Sequence, residues 1–114
     1  MPEYTPRWAL PFLEEGQDGS EVTHNEALIL IDAIMGAKVK DRDLTTPPGS
    51  PSQGDTYIVA TGGTGSWDDK DGKLAVYVSG WKFASVPVGA VLYVEDEDEL
   101  IVQKTGGWET VTTT

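Results

Sequence analysis

His24 is the single histidine of this 114-residue chain, and it stands in Thr23-His24-Asn25-Glu26. A general base or a metal ligand needs company that the sequence does not supply. Cysteine is absent, and no Ser–His–Asp spacing frames the imidazole. Thr-x-x-Glu has a simpler chemistry. The threonine hydroxyl accepts an amide of the first helical turn while the glutamate reaches back to the cap amide. We therefore assign His24 to a helix start and name no catalytic residue. Trp67-Asp68-Asp69-Lys70-Asp71-Gly72 has the carboxylate density of a calcium loop. Counting back from Gly72, however, puts Trp67 where the first carboxylate should be. Gly62-Gly63-Thr64-Gly65 lacks the lysine and the spacing of a phosphate-binding loop. The sequence thus predicts no metal and no cofactor, and a protein that is not an enzyme.

Two further groups could bind rather than react. Glu95-Asp96-Glu97-Asp98-Glu99 reads as a solvated loop tip, and in a symmetric oligomer its like charges must point away from the axis. Trp67, Trp81 and Trp108 with Tyr57, Tyr77 and Tyr93 form either a sugar-stacking set or the core of a small β domain. Trp81 and Trp108 open strands after tight turns and read as core. Trp67, with Asp68 and Asp69, is the candidate glycan contact, because it sits mid-loop among polar neighbours. The competing expectation is that Trp67 folds back to plug one end of the sheet.

The elements that hold these residues follow from patterning. A helix is predicted over residues 23–36, opened by the Thr23–Glu26 capping box and closed by Gly36. After His24 only Asn25, Glu26 and Asp32 interrupt its apolar interior, more than one face can bury, so part of its cover must come from other copies of the chain. Leu28, Ile31, Ile34 and Met35 are the expected oligomer interface. Residues 1–20 read as an extended arm, because Pro6 and Pro11 block a helix while Trp8, Leu10 and Phe12 alternate. Those three apolar residues are the expected docking element.

Residues 21–114 read as a single α+β domain. Lys38 to Leu44 is an edge strand or loop, residues 45–54 a Pro-rich connector, and residues 55–111 a β-rich half. That half repeats itself weakly: Gly54-Asp55-Thr56-Tyr57-Ile58-Val59 answers Gly89-Ala90-Val91-Leu92-Tyr93-Val94, and Leu74 to Trp81 answers Leu100 to Trp108. Each unit reads strand, connection, strand, Gly turn, then a strand opened by Trp. The expectation is one buried helix packed on a small antiparallel meander of about six short strands.

Eight basic against nineteen acidic side chains give a net charge of −11, which argues against nucleic acid or an anionic membrane as the main partner. The start of the chain, Met1-Pro2-Glu3-Tyr4-Thr5-Pro6-Arg7, has neither the basic head nor the apolar centre of a signal peptide.

Residues Thr5-Pro6-Arg7, Leu10-Pro11, Gly16-Gln17, Glu21-Val22-Thr23-His24-Asn25-Glu26-Ala27-Leu28, Asp32-Ala33 and Arg42-Asp43-Leu44-Thr45 resemble a family of unknown function. Pro47-Pro48, Pro51, Gly54 to Val59 and the repeated Gly-Trp turns extend the resemblance over residues 4 to 110. The family is common in prophages, tailed phages and gene transfer agents, among virion structural genes. The resemblance implies a virion component assembled in the bacterial cytoplasm: a fibre, head-spike or tail-fibre subunit or its attachment base. It implies a homo-oligomer, with a trimer favoured, that docks on another virion protein. The alternative is a module that recognises host polysaccharide.

Overall fold

The computed structural model describes residues 4–12, 20–35 and 37–111, together with the side chains of these residues except Ser20 and Glu21. Among these residues one helix, α1 (Ser20–Ile34), precedes seven strands: β1 (Lys38–Val39), β2 (Thr56–Ile58), β3 (Leu74–Tyr77), β4 (Trp81–Ala84), β5 (Val91–Val94), β6 (Glu99–Lys104) and β7 (Gly107–Thr110). The fold is α+β, with one helix packed on antiparallel-rich β structure. Among the described residues no helix is long and apolar enough to cross a membrane.

The internal repeat becomes two three-stranded meanders. β2, β3 and β4 pair antiparallel in that order, and so do β5, β6 and β7. The repeat holds down to register: Tyr77 lies opposite Trp81 in the first meander and Gln103 opposite Trp108 in the second. Both third strands are reached through a glycine at strongly positive φ, 134° at Gly80 and 128° at Gly107, which side chains rarely tolerate.

Strand β1 joins the two units. It pairs in parallel with β5, Lys38 opposite Tyr93 and Val39 opposite Val94. On its other side Lys40 donates to the Thr56 carbonyl at 2.8 Å and Ile58 donates to the Asp41 carbonyl at 3.2 Å. Residues 37–41 therefore run between the meanders, and the charged edge strand is more central than its composition suggested. Val39, fully buried, carries the apolar load that Lys38 and Lys40 do not.

Side-chain alternation divides the core. Ile58, Leu74, Val76 and Ala84 meet Leu30 of α1 together with Val39, Leu92, Val94 and Ile101. On the opposite face of the first meander, Tyr57, Val59 and Ala75 are covered by Trp67, with Leu44, Trp81 and Phe83 around them. The residue 60–73 connection supplies that cover, turning through a short 3-10 segment at Gly65–Trp67. A Cβ added at Gly63 would stand 2.4 Å from the Trp67 carbonyl oxygen and 3.0 Å from Val59 Cγ1. Gly63→Ala must therefore push the connection off the sheet. We expect it to lose about 1–3 kcal/mol in urea unfolding, the usual cost of overpacking, and a change within error would show that the approach is looser than this.

Several elements differ from expectation. The helix begins at Ser20, so Thr23 lies one turn inside it and Thr23–Glu26 is not its terminal capping box; Gly36 lies outside the described residues. The first described segment is a closed loop rather than an extended arm. Tyr4 bridges Pro11, Thr5 donates to the Leu10 carbonyl at 2.8 Å, and Leu10 donates to Thr5 Oγ1 at 2.9 Å. Ala9, at φ 54°, makes the reversal that alternation of apolar residues could not announce. Among the described residues the strands number seven, because residues 38–39 pair as well.

Candidate functional site

The most conspicuous unpartnered surface is on α1. At about 100° per residue, His24, Leu28, Ile31 and Met35 form one line roughly 130° around the helix from the buried Leu30. Leu28 is 50% exposed, Ile31 38% and Met35 73%. Ile34, the fourth residue expected at an oligomer interface, instead packs against the chain's own core, with Ile29 and Ala33. Asn25 and Asp32 are exposed within one chain, so they do not need buried partners there. One chain covers one side of this helix and leaves an apolar stripe on the other.

The docking residues are split. Trp8 and Leu10 are partly buried against the main core, because the closed loop turns them inward, and Phe12 remains exposed. Trp8 and Leu10 therefore anchor the loop to its own domain rather than offer a free docking edge.

Trp67 is fully buried and cannot stack on a sugar. Its ring lies 5.6 Å from that of Tyr57 and 5.2 Å from that of Trp81, the latter edge-on. Its indole Nε1 has no hydrogen-bond partner, a cost accepted for filling the end of the sheet. The Asp68 and Asp69 side chains are exposed, but the aromatic platform between them and a sugar is missing. Asp71 has a different task. Its carboxylate accepts the amides of Gly62 at 3.0 Å and Gly63 at 2.9 Å, tying one end of the connection to the other. Those two bonds favour the ionised form and hold the carboxyl below its ordinary range. The stabilisation is thus present above the unfolded-state pKa and disappears as pH falls through the lowered folded value. Asp71→Ala should speed amide hydrogen exchange at Gly62 and Gly63 and flatten this acid dependence. Unchanged exchange at both glycines would remove the tie.

The acidic tip is not simply solvated. Arg42 donates from Nε to Glu97 Oε2 at 2.8 Å and from Nη2 to Oε1 at 2.9 Å, a two-pronged clamp across 55 residues. The bonds from Arg42 hold Glu97 below the ordinary carboxylate range. Beside this clamp the carboxylates of Asp41, Asp43 and Asp96 come within 4.8 Å of one another. Asp96 is pushed up, first by desolvation and then by the charges of Asp41, Glu97 and Asp43. Oxygen ligands so gathered are the type a divalent cation would take. Asp41-x-Asp43 and the acidic run were visible in the sequence, but β1–β5 pairing, which brings them together, was not.

A cleft of about 410 Å³ lies between α1, the first loop and β4, lined among others by Tyr4, Glu26, Lys70, Lys73, Lys82 and Phe83. Its lysines come from separate segments, so no local pattern announces it.

A protein-family model described as "Protein of unknown function (DUF2793)" matches residues 24–109. The chain belongs to the DUF2793 family. A search of curated proteins finds no match. The region shared with the DUF2793 family runs from the exposed histidine of α1 into β7, so it contains the helix stripe, the first meander, all but the last residue of the second and the acidic tip. The closed loop of residues 4–12 lies ahead of it.

Proposed function

We propose that this chain is a non-enzymatic structural subunit of a phage particle, a fibre, head-spike or tail-fibre subunit or its attachment base. It self-assembles, with a trimer favoured, and docks on another virion protein. The observation that carries self-assembly is the stripe of Leu28, Ile31 and Met35, exposed at helical spacing on the face of α1 turned away from its own core. The placement in a particle rests on the resemblance of residues 4 to 110 to proteins encoded among virion genes. A polysaccharide site built on Trp67 is not retained, since that ring is buried.

Two measurements test the reading. Sedimentation equilibrium of the purified chain at micromolar concentration should give a multiple of the 12.3 kDa chain mass. Antibody labelling of particles released by the producing cell should decorate them at a fixed position. A monomer with an ordered α1 would overturn self-assembly, and particles free of the chain would overturn the virion role.

A further inference from the structure

Strand β4 is the outer strand of its sheet, and the cleft described above lies along its free edge. The hydrogen-bond pattern shows which groups face it. Tyr77 accepts from Gly54 at 2.7 Å and donates to the Asp55 carbonyl at 2.9 Å, both on the β2 side of β3. Alternation then turns the backbone groups of Leu74 and Val76 toward β4, where their partners are Ala84 and Lys82. The N–H and C=O of Phe83 consequently point outward, where no further strand pairs among the described residues. Trp81, Lys82, Phe83 and Ser85 all line the cleft, although neighbouring strand residues project to opposite faces. A cavity touched by both sets must straddle the strand edge.

The charge of this cleft runs against that of the molecule. Three of the chain's eight basic residues, Lys70, Lys73 and Lys82, line it, within a chain of net charge −11. Among the described residues none of the three makes an ion pair. Lys70 Nζ stands 5.2 Å from the Phe83 ring centre, Lys73 Nζ bonds Ser85 Oγ at 2.9 Å, and Lys82 Nζ donates to the Val78 carbonyl at 3.0 Å. Among the described residues one carboxylate, Glu26, lines the helix side. Lysines on an edge strand can serve to repel strand addition. Here Lys82 of β4, with Lys70 and Lys73 from the neighbouring segment, borders a cavity of about 410 Å³, and an acidic strand would turn the same charges into attraction.

We propose that this cleft binds an extended acidic peptide segment of a partner protein, added antiparallel or parallel to β4 as an extra strand. Phe83 supplies the backbone bonds, and Lys70, Lys73 and Lys82 take the carboxylates. The free backbone N–H and C=O on the β4 edge favour a peptide over an anionic sugar, and two of the cleft's rings already contact other groups. Trp81 packs edge-on against Tyr57, Trp67 and Tyr77, and Phe83 lies under Lys70. Glu26 and Leu30 place the cleft on the core side of α1, away from Leu28, Ile31 and Met35, so this binding is independent of self-association.

The test uses the full chain and a fluorescein-labelled heptapeptide of sequence Thr-Glu-Glu-Val-Glu-Glu-Thr, followed by anisotropy at low and high salt. Binding should weaken at least tenfold with salt, with glutamine in place of every glutamate, and with the K70Q/K73Q/K82Q variant, its fold checked by circular dichroism. The same peptide N-methylated at alternate residues should also lose at least tenfold, a readout that needs no variant protein. No binding, equal binding of the glutamine peptide, or equal binding of the N-methylated peptide overturns strand addition. Stronger binding by trigalacturonate than by the peptide makes the cleft a saccharide site and overturns the proposal as well.

Discussion

Trp67→Ala should cost about 3–5 kcal/mol in equilibrium unfolding, the range for truncating a buried aromatic. The indole is fully buried beneath the residue 60–73 connection and touches the rings of Tyr57 and Trp81, so its removal empties the space between connection and sheet. The loss should fall on the first meander: near-ultraviolet circular dichroism of the aromatic cluster should collapse while the second meander keeps its amide protection. Trp67→Phe, which restores most of the volume and removes the unpartnered Nε1, should recover much of the stability. A Trp67→Ala chain with an unchanged urea midpoint would mean that the connection does not hold the sheet.

Under the proposed self-assembly, replacing Leu28 or Ile31 by Asp should yield single chains without unfolding them. Within one chain both side chains are exposed, and a charge there should shift intrinsic stability by no more than about 0.5 kcal/mol. Inside an interface the same carboxylate would be buried without a partner, a penalty of several kcal/mol in each copy. Sedimentation should therefore show the chain mass, with the helical circular dichroism signal retained. Ile34→Asp provides the contrast. Ile34 packs against the chain's own core, so that variant should lose its fold rather than its partners. If Leu28→Asp leaves the mass unchanged, the stripe is not the contact surface.

What the sequence carried was local. The Gly80 and Gly107 turns, the tryptophans that follow them and the repeat of Gly54 to Val59 in Gly89 to Val94 are short-range signals, and they marked two three-strand units; that these form two separate meanders in equivalent register came from the structure. The apolar excess of α1 was equally legible, since it needs only helical spacing. Long-range pairings were hidden. Nothing in Lys38-Val39-Lys40 announces a partner at Tyr93-Val94, and that parallel pairing is what gathers Asp41, Asp43 and Asp96. The reversal at Ala9 was missed because a non-glycine residue at positive φ leaves no compositional trace. The helix starts at Ser20, a turn ahead of the expected cap, because Thr-x-x-Glu is a capping signal that is also accommodated within a helix. Trp67 illustrates the limit of polarity as a guide: exposed neighbours on both sides did not keep the ring itself in water.

Residues 37–41, bonded to residues 56–58 on one side and 93–95 on the other, impose an order on folding during synthesis. Each meander closes through contacts between chain neighbours, whereas the central segment cannot be bonded on both sides until Glu95 has been made. At about 5–20 residues per second, the completed first meander waits on the order of a second with one bare strand edge beside it. For that interval the nascent chain carries an open edge of the kind that recruits foreign strands. Lys38 and Lys40, both exposed in the finished fold, put positive charge along the edge during this wait and discourage two nascent chains from pairing there.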